Sequence, residues 1–553
     1  MFTSNPPFAF PRPRALAALA LLIAFVCAPS AFGSDDAAAR ARKLPSPEKI
    51  VGDYLKAVGG KKRAASVRDA VYEWSVAAPG AEAGRARTHL KAPASARADV
   101  SHGGAETSAG TNGRSAWTRD ADGRLRTLTD AEARAAKLLA ALDAGRLVDF
   151  KKRGVLARTV AAEQAGGEAA YVVEFATREG ARLRYWFGAE SKLLLKVADE
   201  ARRLSIAFGD YRAAVPAVAL LEPHRVEVKS EGALALVFTL GAARYNTNLA
   251  DTLFDPPGGD TALNVPALLR DLTRNQDEVD RRVNEYTYTM KTTERNVNDR
   301  GQVTRERVTV HEIYPVLGYG RIEKLVSEDG VALPAERAAK EERRVAEQLE
   351  KAEREAPRRL AEWERKRAEQ REKRRAERES ARRRAGGAQA GAAEDEGEED
   401  DDNLTIAAFL RACEFVSPRR EQFRGRDVIV FDFRPRAGFR PSGRIESVIA
   451  KLVGVVWVDP ADRQVMRMEA RFADNVNAFG GLASLRSGSA FVFEQTRLPE
   501  GVWMPRFSQA NVALKLFLVA GKSINRTREY SDYKRFSTRT DDAALDTPKP
   551  EKP

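Results

Sequence analysis

Apolar and polar residues alternate in short runs over most of this chain, and two sets of runs read as copies of one pattern. The first set starts at Ala170 with AYVVEF, continues through LRYWFGAESKLLLKV, and reaches PHRVEV. The second starts at Asp427 with DVIVFDF, continues through VGVVWVDPADRQVMRMEARF, and reaches MPRFSQANV. In each, a strand ending on an acid and an aromatic precedes a longer aromatic strand, which turns through a polar GAES or DPAD step. A period of two predicts strands, and repetition of the whole set predicts duplicated architecture. Val428, Val430 and Asp432 fall on one face of such a strand and Ile429, Phe431 and Phe433 on the other, where they form an aromatic-aliphatic stripe.

Helical spacing occurs at few places. Pro45–Val58 carries Ile50, Tyr54, Leu55 and Val58 on one side, with Ser46 as N-cap, and Gly59-Gly60 stops it. Asp130–Leu142 and Val265–Tyr286 read as further helices. Strands are expected at Ala70–Ser75, Arg85–Lys91, Ser95–Val100, Tyr286–Arg295 and Val303–Tyr314. The expected class is α+β, mainly antiparallel β: two tandem incomplete β-barrels, each a curved sheet covered by helices, with a long charged helical insert in the second.

At 553 residues the chain is too long for one core. The pattern divides it into a leader at 1–33, a first domain at 45–257, a second at 264–536, and a polar tail at 537–553. The second domain is interrupted at 335–402, where Glu, Arg and Ala dominate. There Glu347/Lys351, Glu350/Arg354, Glu355/Arg359 and Glu362/Lys366 stand four apart in the favourable order. Pro357 should kink or divide the helix. Val345, Leu349, Leu360 and Trp363 are too few for sustained heptads, so no apolar face for a core is expected, and Gly386–Asp402 reads as a disordered acidic stretch. The Arg343–Arg384 run supplies much of the formal charge of +13, which therefore describes the insert more than a nucleic-acid surface. A solvated helix, or contact with an anionic membrane surface, accounts for it; no nucleic-acid partner is expected.

The first residues read as an export signal: Arg12 and Arg14, then apolar Ala15–Val26, then small residues at Ala31 and Gly33. Cleavage before Ser34 would leave Cys413 as the single cysteine, so no internal disulfide is available. Lipid attachment at Cys27 is the alternative. No later run is long and apolar enough for a membrane helix, and a periplasmic or otherwise extracytoplasmic location is expected.

Chemistry is sparse. His89, His102, His224 and His311 show no metal-ligand spacing, and His311-Glu312 lacks the second histidine of a zinc-protease helix. Cys413 lies in an apolar helix-like run where a buried inert thiol is expected, and Asp210, Asp251 and Asp459 read as turn residues. No nucleophile elbow or phosphate-cradling loop occurs. Neither an enzyme, a metal nor a cofactor is expected.

Several stretches together carry a resemblance. AVGG at Ala57–Gly60, AVYEW, KAPASARAD, TNGRSAWT, FKKRGVLARTV, AYVVEF, LRYWFGAESKLLLKV and LEPHRVEV, leading to YNTNLADTLFDPP, resemble the LolA/LolB-like periplasmic lipoprotein-carrier family, and more closely its LolA-like members of unassigned role. The resemblance covers roughly Pro45 to Pro257, and the second half, from about Asn264 to Phe536, looks like a diverged relative of the same family. It implies an incomplete antiparallel barrel with helices across its mouth and an apolar cavity for acyl chains. It also implies binding or carriage of a lipid or lipidated partner. The chain departs from the dedicated carriers in its double length, its insert, and the lack of a residue matching their functional arginine. Candidate cavity residues are Trp74, Trp117, Tyr171, Phe175, Tyr185, Phe187, Phe431, Phe433 and Trp457. The rival reading is an envelope scaffold acting through its charged arm.

Sequencing the N-terminus of the mature protein should find Ser34 first. A diacylated start at Cys27 would contradict this and make the protein an anchored lipoprotein.

Overall fold

The computed structural model describes residues 44–535 except 79–82, 232–234, 259–263, 299–302, 317–319, 385–408, 410–411, 442–443, 473–475, 479–482, 486–487 and 517–518. The leader, the cleavage region, Cys27, the acidic stretch and the C-terminal tail named above lie outside the described residues. The chain forms two compact units. The first comprises Met1–Thr261, Asp299–Gly301 and Ser417–Asp432; the second comprises Ala262–Asn298, Gln302–Val416 and Phe433–Pro553.

The first unit is built on thirteen strands: β1 (Asp69–Ala77), β2 (Gly84–Lys91), β3 (Ser95–His102), β4 (Ala105–Thr111), β5 (Ala116–Arg119), β6 (Leu125–Thr127), β7 (Leu156–Ala165), β8 (Glu168–Ala176), β9 (Arg182–Gly188), β10 (Leu194–Asp199), β11 (Leu204–Val215), β12 (Leu220–Ser230) and β13 (Leu236–Tyr245). They form one open sheet in the order β6-β5-β4-β3-β2-β1-β13-β12-β11-β10-β9-β8-β7. The first strand pairs with the last, antiparallel, and two meanders run outward from that seam. Three helices accompany the sheet: α1 (Pro47–Ala57), α2 (Lys61–Ser66) and α3 (Asp130–Ala144).

The sheet is curled. Helix α3 packs against β2, β3, β4 and β5 and also against β9. From β3 to β9 the sheet order passes through β2, β1, β13, β12, β11 and β10. On a flat sheet those strands would be about 34 Å apart at the usual spacing of about 4.8 Å, several times the width of a helix. One helix can reach both only if the sheet bends around it. The core follows: Leu138 and Leu142 of α3 and Ile50, Val51 and Leu55 of α1 cluster with Tyr72, Phe175, Leu183, Tyr185, Phe187 and Leu220 from strands across the whole sheet.

Local chemistry fixes the helices. Ser46 caps α1 through a bond from the Lys49 N–H at 3.3 Å, and Pro47 opens it. Gly59 ends it at φ +121°, where a Cβ would stand 2.6 Å from the Ala219 carbonyl oxygen. That close approach, with the Leu221 N–H bonded to the Val58 carbonyl at 2.9 Å, ties the end of α1 to the start of β12.

The second unit carries the strands β14 (Tyr286–Val297), β15 (Val303–Val316), β16 (Gly320–Glu328), β17 (Val331–Ala332), β18 (Cys413–Phe423), β19 (Arg426–Pro435), β20 (Leu452–Asp459), β21 (Gln464–Phe472), β22 (Val476–Ala478), β23 (Ala483–Leu485), β24 (Ala490–Arg497), β25 (Trp503–Leu516) and β26 (Val519–Arg535). Their order is β17-β16-β15-β14-β26-β25-β24-β21-β20-β19-β18, with β22 and β23 beside β25. Residues Ser417–Asp432 of β18 and β19 group with the first unit. Helix α4 (Val265–Arg282) buries Leu268, Leu272 and Val279 and ends four residues short of the Tyr286 end that the sequence pattern predicts. Helices α5 (Ala335–Arg384) and α6 (Arg444–Ile449) complete the unit.

Three expectations change. Helix α5 runs through Pro357 without division, and its first half has an apolar contact after all: Val345 and Ala352 are buried with Ile322 of β16, and Tyr314 and Leu349 flank them. Seven-residue spacing was enough to dock two turns, although not to sustain a coiled coil. Cys413 begins a strand rather than lying in a helix, and burial pushes its thiol up to about 12. Asp210 lies within β11 at φ +54° instead of at a turn.

Val345→Asp should therefore lower the melting temperature of the second unit, at a cost of about 3 kcal/mol for an unpaired buried carboxylate. The exposed neighbour Ala346→Asp should be nearly silent. Equal melts for the two variants would show that α5 does not bear on the sheet.

Candidate functional site

Helices α1 and α3 leave part of the concave face of the first sheet open. The strand register aligns Phe208 of β11 with Val226 of β12, Val226 with Phe238 of β13, and Phe238 with Val76 of β1. A second row joins Ile206, Val228 and Leu236. Paired residues share a face, so these rows form an apolar floor on the same side as Trp74 and Tyr72. Phe208, Val226, Phe238, Ile206 and Val228 are only half-buried, whereas Ala207, Arg225, Lys229 and Thr239, pointing the other way, are exposed.

A polar group closes one end of the floor. Arg146 donates to Glu222 at 2.7 Å and to the Tyr72 hydroxyl at 2.6 Å; Tyr72 and Tyr245 in turn donate to Glu222 at 2.9 and 2.8 Å. The guanidinium lies 5.1 Å from the centre of the Tyr245 ring. Burial opposes the Arg146 charge, and Glu222, Tyr72 and Tyr245 outweigh it and raise the pKa well above the usual arginine value. Arg146 is held by an unusual turn: Arg146, Leu147 and Asp149 all have φ near +50°. Buried Leu147, Val148 and Phe150 anchor that strained backbone in the core, with Phe150 edge-on to Phe175 at 5.3 Å.

Asp143 sits one turn earlier. It follows Ala135 and Leu139 at four-residue steps, on the side of α3 that packs on the core. The residue is exposed; desolvation by its neighbours pushes its carboxyl up to about 7, and Arg202, whose buried Nη2 has no bonded acceptor, and Arg146 only partly offset this. Among the described residues no donor bonds its carboxylate. Tyr185 beside it is fully buried, its hydroxyl has no partner, and its phenol is pushed up by burial and then by Asp143 and Tyr54.

The residues expected to line a cavity divide sharply. Trp74 borders the floor, half-buried, edge-on to Phe238 at 6.4 Å and bonded to Thr88 at 3.2 Å. Tyr171 is half-buried opposite Phe187. Phe175, Tyr185 and Phe187 are sealed beneath the helices, with Tyr54 of α1 on Phe187 at 5.5 Å. Trp117 is sealed against Gly110 and donates to the Phe254 carbonyl at 3.1 Å. Phe431 is fully buried, and so is Asp432 on the opposite face of its strand, so both faces are covered there. Phe433, in the second unit, packs on Phe409 at 4.5 Å, and Trp457 lies under the Arg467 guanidinium at 5.9 Å. Two clefts, of about 730 Å³ in the second unit and about 720 Å³ in the first, are lined by other residues, mostly charged. Among the described residues no cluster of His, Cys, Asp and Glu could hold a metal ion.

The sequence pattern missed Arg146, Glu222, Tyr245 and Asp143. Glu222 and Tyr72 stood within LEPHRVEV and AVYEW as polar atoms on otherwise apolar faces, which was the available signal. Arg146 depends on a turn whose three left-handed residues are not glycines and so leave no mark.

No protein-family model matches the chain, and no curated protein matches it. Among solved structures it is similar to a DUF1329 family protein from Desulfovibrio piger: 15% identity, covering 38% of this chain and 98% of that one, TM-score 0.27. A LolA superfamily protein from Nitrosomonas europaea gives 13% identity, 38% and 98% coverage, and a TM-score of 0.27. The MucA/MucB complex structure from Pseudomonas aeruginosa gives 8% identity, 88% and 99% coverage, and a TM-score of 0.15. At these identities and TM-scores the likenesses carry no argument about function.

The raised Asp143 value has a consequence for stability. A carboxyl that binds its proton more tightly when folded favours the folded state while protonated, and that advantage is lost as pH rises from about 4, the unfolded value, to about 7. Asp143→Asn should remove the loss, so that wild type and variant melt alike near pH 4 and the variant melts higher near pH 8. Parallel pH profiles would show that Asp143 is freely hydrated.

Proposed function

We propose that this chain is an extracytoplasmic binding or carrier protein for a lipid or lipidated partner, and that the concave face of the first sheet receives the acyl chain. One observation carries the reading: the register-aligned residues Phe208, Val226 and Phe238, ending on buried Val76, lie half open inside a sheet that bends around α3. Each methylene transferred from water onto such a floor contributes about 0.8 kcal/mol, so an alkyl chain needs few polar contacts to be held. The role is binding rather than catalysis: the strongest ionic group here, Arg146 with Glu222, is satisfied by its own partners. The second unit is read as a diverged copy of the first. In both sheets the first strand pairs with the last, β1 with β13 and β14 with β26.

Adjacent positions on β13 test the reading. Phe238→Asp places a charge on the floor, at a half-buried site that can stay hydrated in the free protein. It should weaken binding of an uncharged alkyl-chain dye by about tenfold or more, while Thr239→Asp, on the opposite face, should not. Binding unaffected by either change, or no dye binding by the native chain, would contradict it.

A further inference from the structure

The first sheet ends on two edges, and they differ. Strand β6 is three residues long, and Glu421 accepts its Thr127 N–H at 2.7 Å. Strand β7 is ten residues long and, among the described residues, pairs with β8 alone. The Gly166-Gly167 turn, with both glycines at positive φ, closes the β7–β8 hairpin on Ala165 and Glu168. Counting from that pair, Ala165, Glu163 and Ala161 turn their backbone groups to β8, and Gln164 and Ala162 turn theirs outward. A bulge at Val160 shifts the alternation, so that Arg158 and Leu156 bond β8 while Thr159 and Ala157 point outward. Among the described residues no hydrogen bond reaches the N–H of Ala157, Thr159, Ala162 or Gln164. A long unpaired edge of this kind is a template for another strand.

We propose that this edge pairs with β7 of a second copy, antiparallel, about a two-fold axis between Val160 and Ala161. That register sets Ala157 of each copy opposite Gln164 of the other and Thr159 opposite Ala162, so every outward position meets an outward position and about eight backbone bonds form. Val160, Ala161 and Ala165 pack around Trp186, which also donates to Glu163 at 2.9 Å, on the face away from the core where Ala157 packs. On that outer face the same register sets Leu156 opposite Ala165, Val160 opposite Ala161, and Arg158 opposite Glu163. Arg158 and Glu163 would meet as a non-hydrogen-bonded pair, the closer of the two kinds. A slide of two residues either way breaks both charge pairs and half of the outward ones. The bulge also selects the partner. A regular strand laid along β7 would fall one residue out of step at Val160, whereas a second copy is irregular at the same place and stays in step on both sides. Such pairing is independent of any ligand on the floor.

Sedimentation equilibrium of the whole chain should show a dimer that dissociates on dilution. Glu163→Arg sets arginine against Arg158 twice per dimer and should weaken association about tenfold. Arg158→Glu should do the same by setting two acids together. Mixing these two variants should restore the dimer, because every charge pair across the two-fold then joins an acid to a base. Ala162→Pro removes an outward N–H without touching the β8 ladder, so it should abolish the dimer and leave the melt nearly intact. Melts of each variant separate lost pairing from lost folding. If Arg158→Glu unfolds because Glu174, to which Arg158 donates at 3.0 Å, loses that partner, Glu163→Arg and Ala162→Pro still decide. A dimer unchanged by Ala162→Pro, or folded charge variants whose mixture associates no better than either alone, would overturn the assignment. So would a native chain that stays monomeric at every concentration; the edge would then pass to the residues before Pro45, whose carbonyl accepts from the Thr159 hydroxyl at 2.7 Å.

Discussion

The first sheet is too wide to be flat and too wide to be covered. Thirteen strands at about 4.8 Å each make a sheet about 60 Å across, and twisted open sheets of that size curl. Helix α1 has 11 residues and α3 has 15; at about 1.5 Å per residue neither spans much more than about 20 Å. The sheet therefore bends until α3 meets strands from both arms, and a patch of its inner face stays uncovered. The open floor follows from that mismatch between sheet and helices.

The seam between β1 and β13 converts the curl into a site. Because the two strands hold one register from Trp74 to Ala77, beyond a bulge at Glu73/Trp74, the alternating positions of β11, β12, β13 and β1 fall into line there, and side chains distant in sequence become one apolar row. A one-residue slip would exchange Phe238 for Thr239 and turn the floor outward. At the end of that row Glu222 joins Arg146, Tyr72 and Tyr245. Removing one member of such a buried ionic group leaves the others uncompensated, a loss of about 3–5 kcal/mol. The turn that carries Arg146 is thus fixed on one side by packing and on the other by charge.

Much of this architecture was legible in the residues. Period-two alternation located most strands of both sheets, and Ser46 with Gly59-Gly60 bounded α1. The aromatic candidates illustrate the limit. Phe175, Tyr185 and Phe187 read as cavity residues because they are aromatic and alternate, but the same signal marks core, and the helices seal them. What distinguishes floor from core is which part of a face the helices fail to reach, and that depends on strand order rather than on local pattern. Trp74 was identified because it is large, whereas Phe208, Val226 and Phe238 required the register. The docking of α5 through Val345 and Ala352 was hidden by the surrounding charge.

The central claim is that an alkyl chain lies on the floor of the first sheet. Its most direct test is diffraction from crystals grown with a dodecyl amphiphile brominated at the end of the chain, recorded at the bromine absorption edge. The account predicts an anomalous peak inside the concavity, over the row of Phe208, Val226 and Phe238. Bromine found only at the outer surface, or a concavity closed by the protein's own side chains, would contradict it.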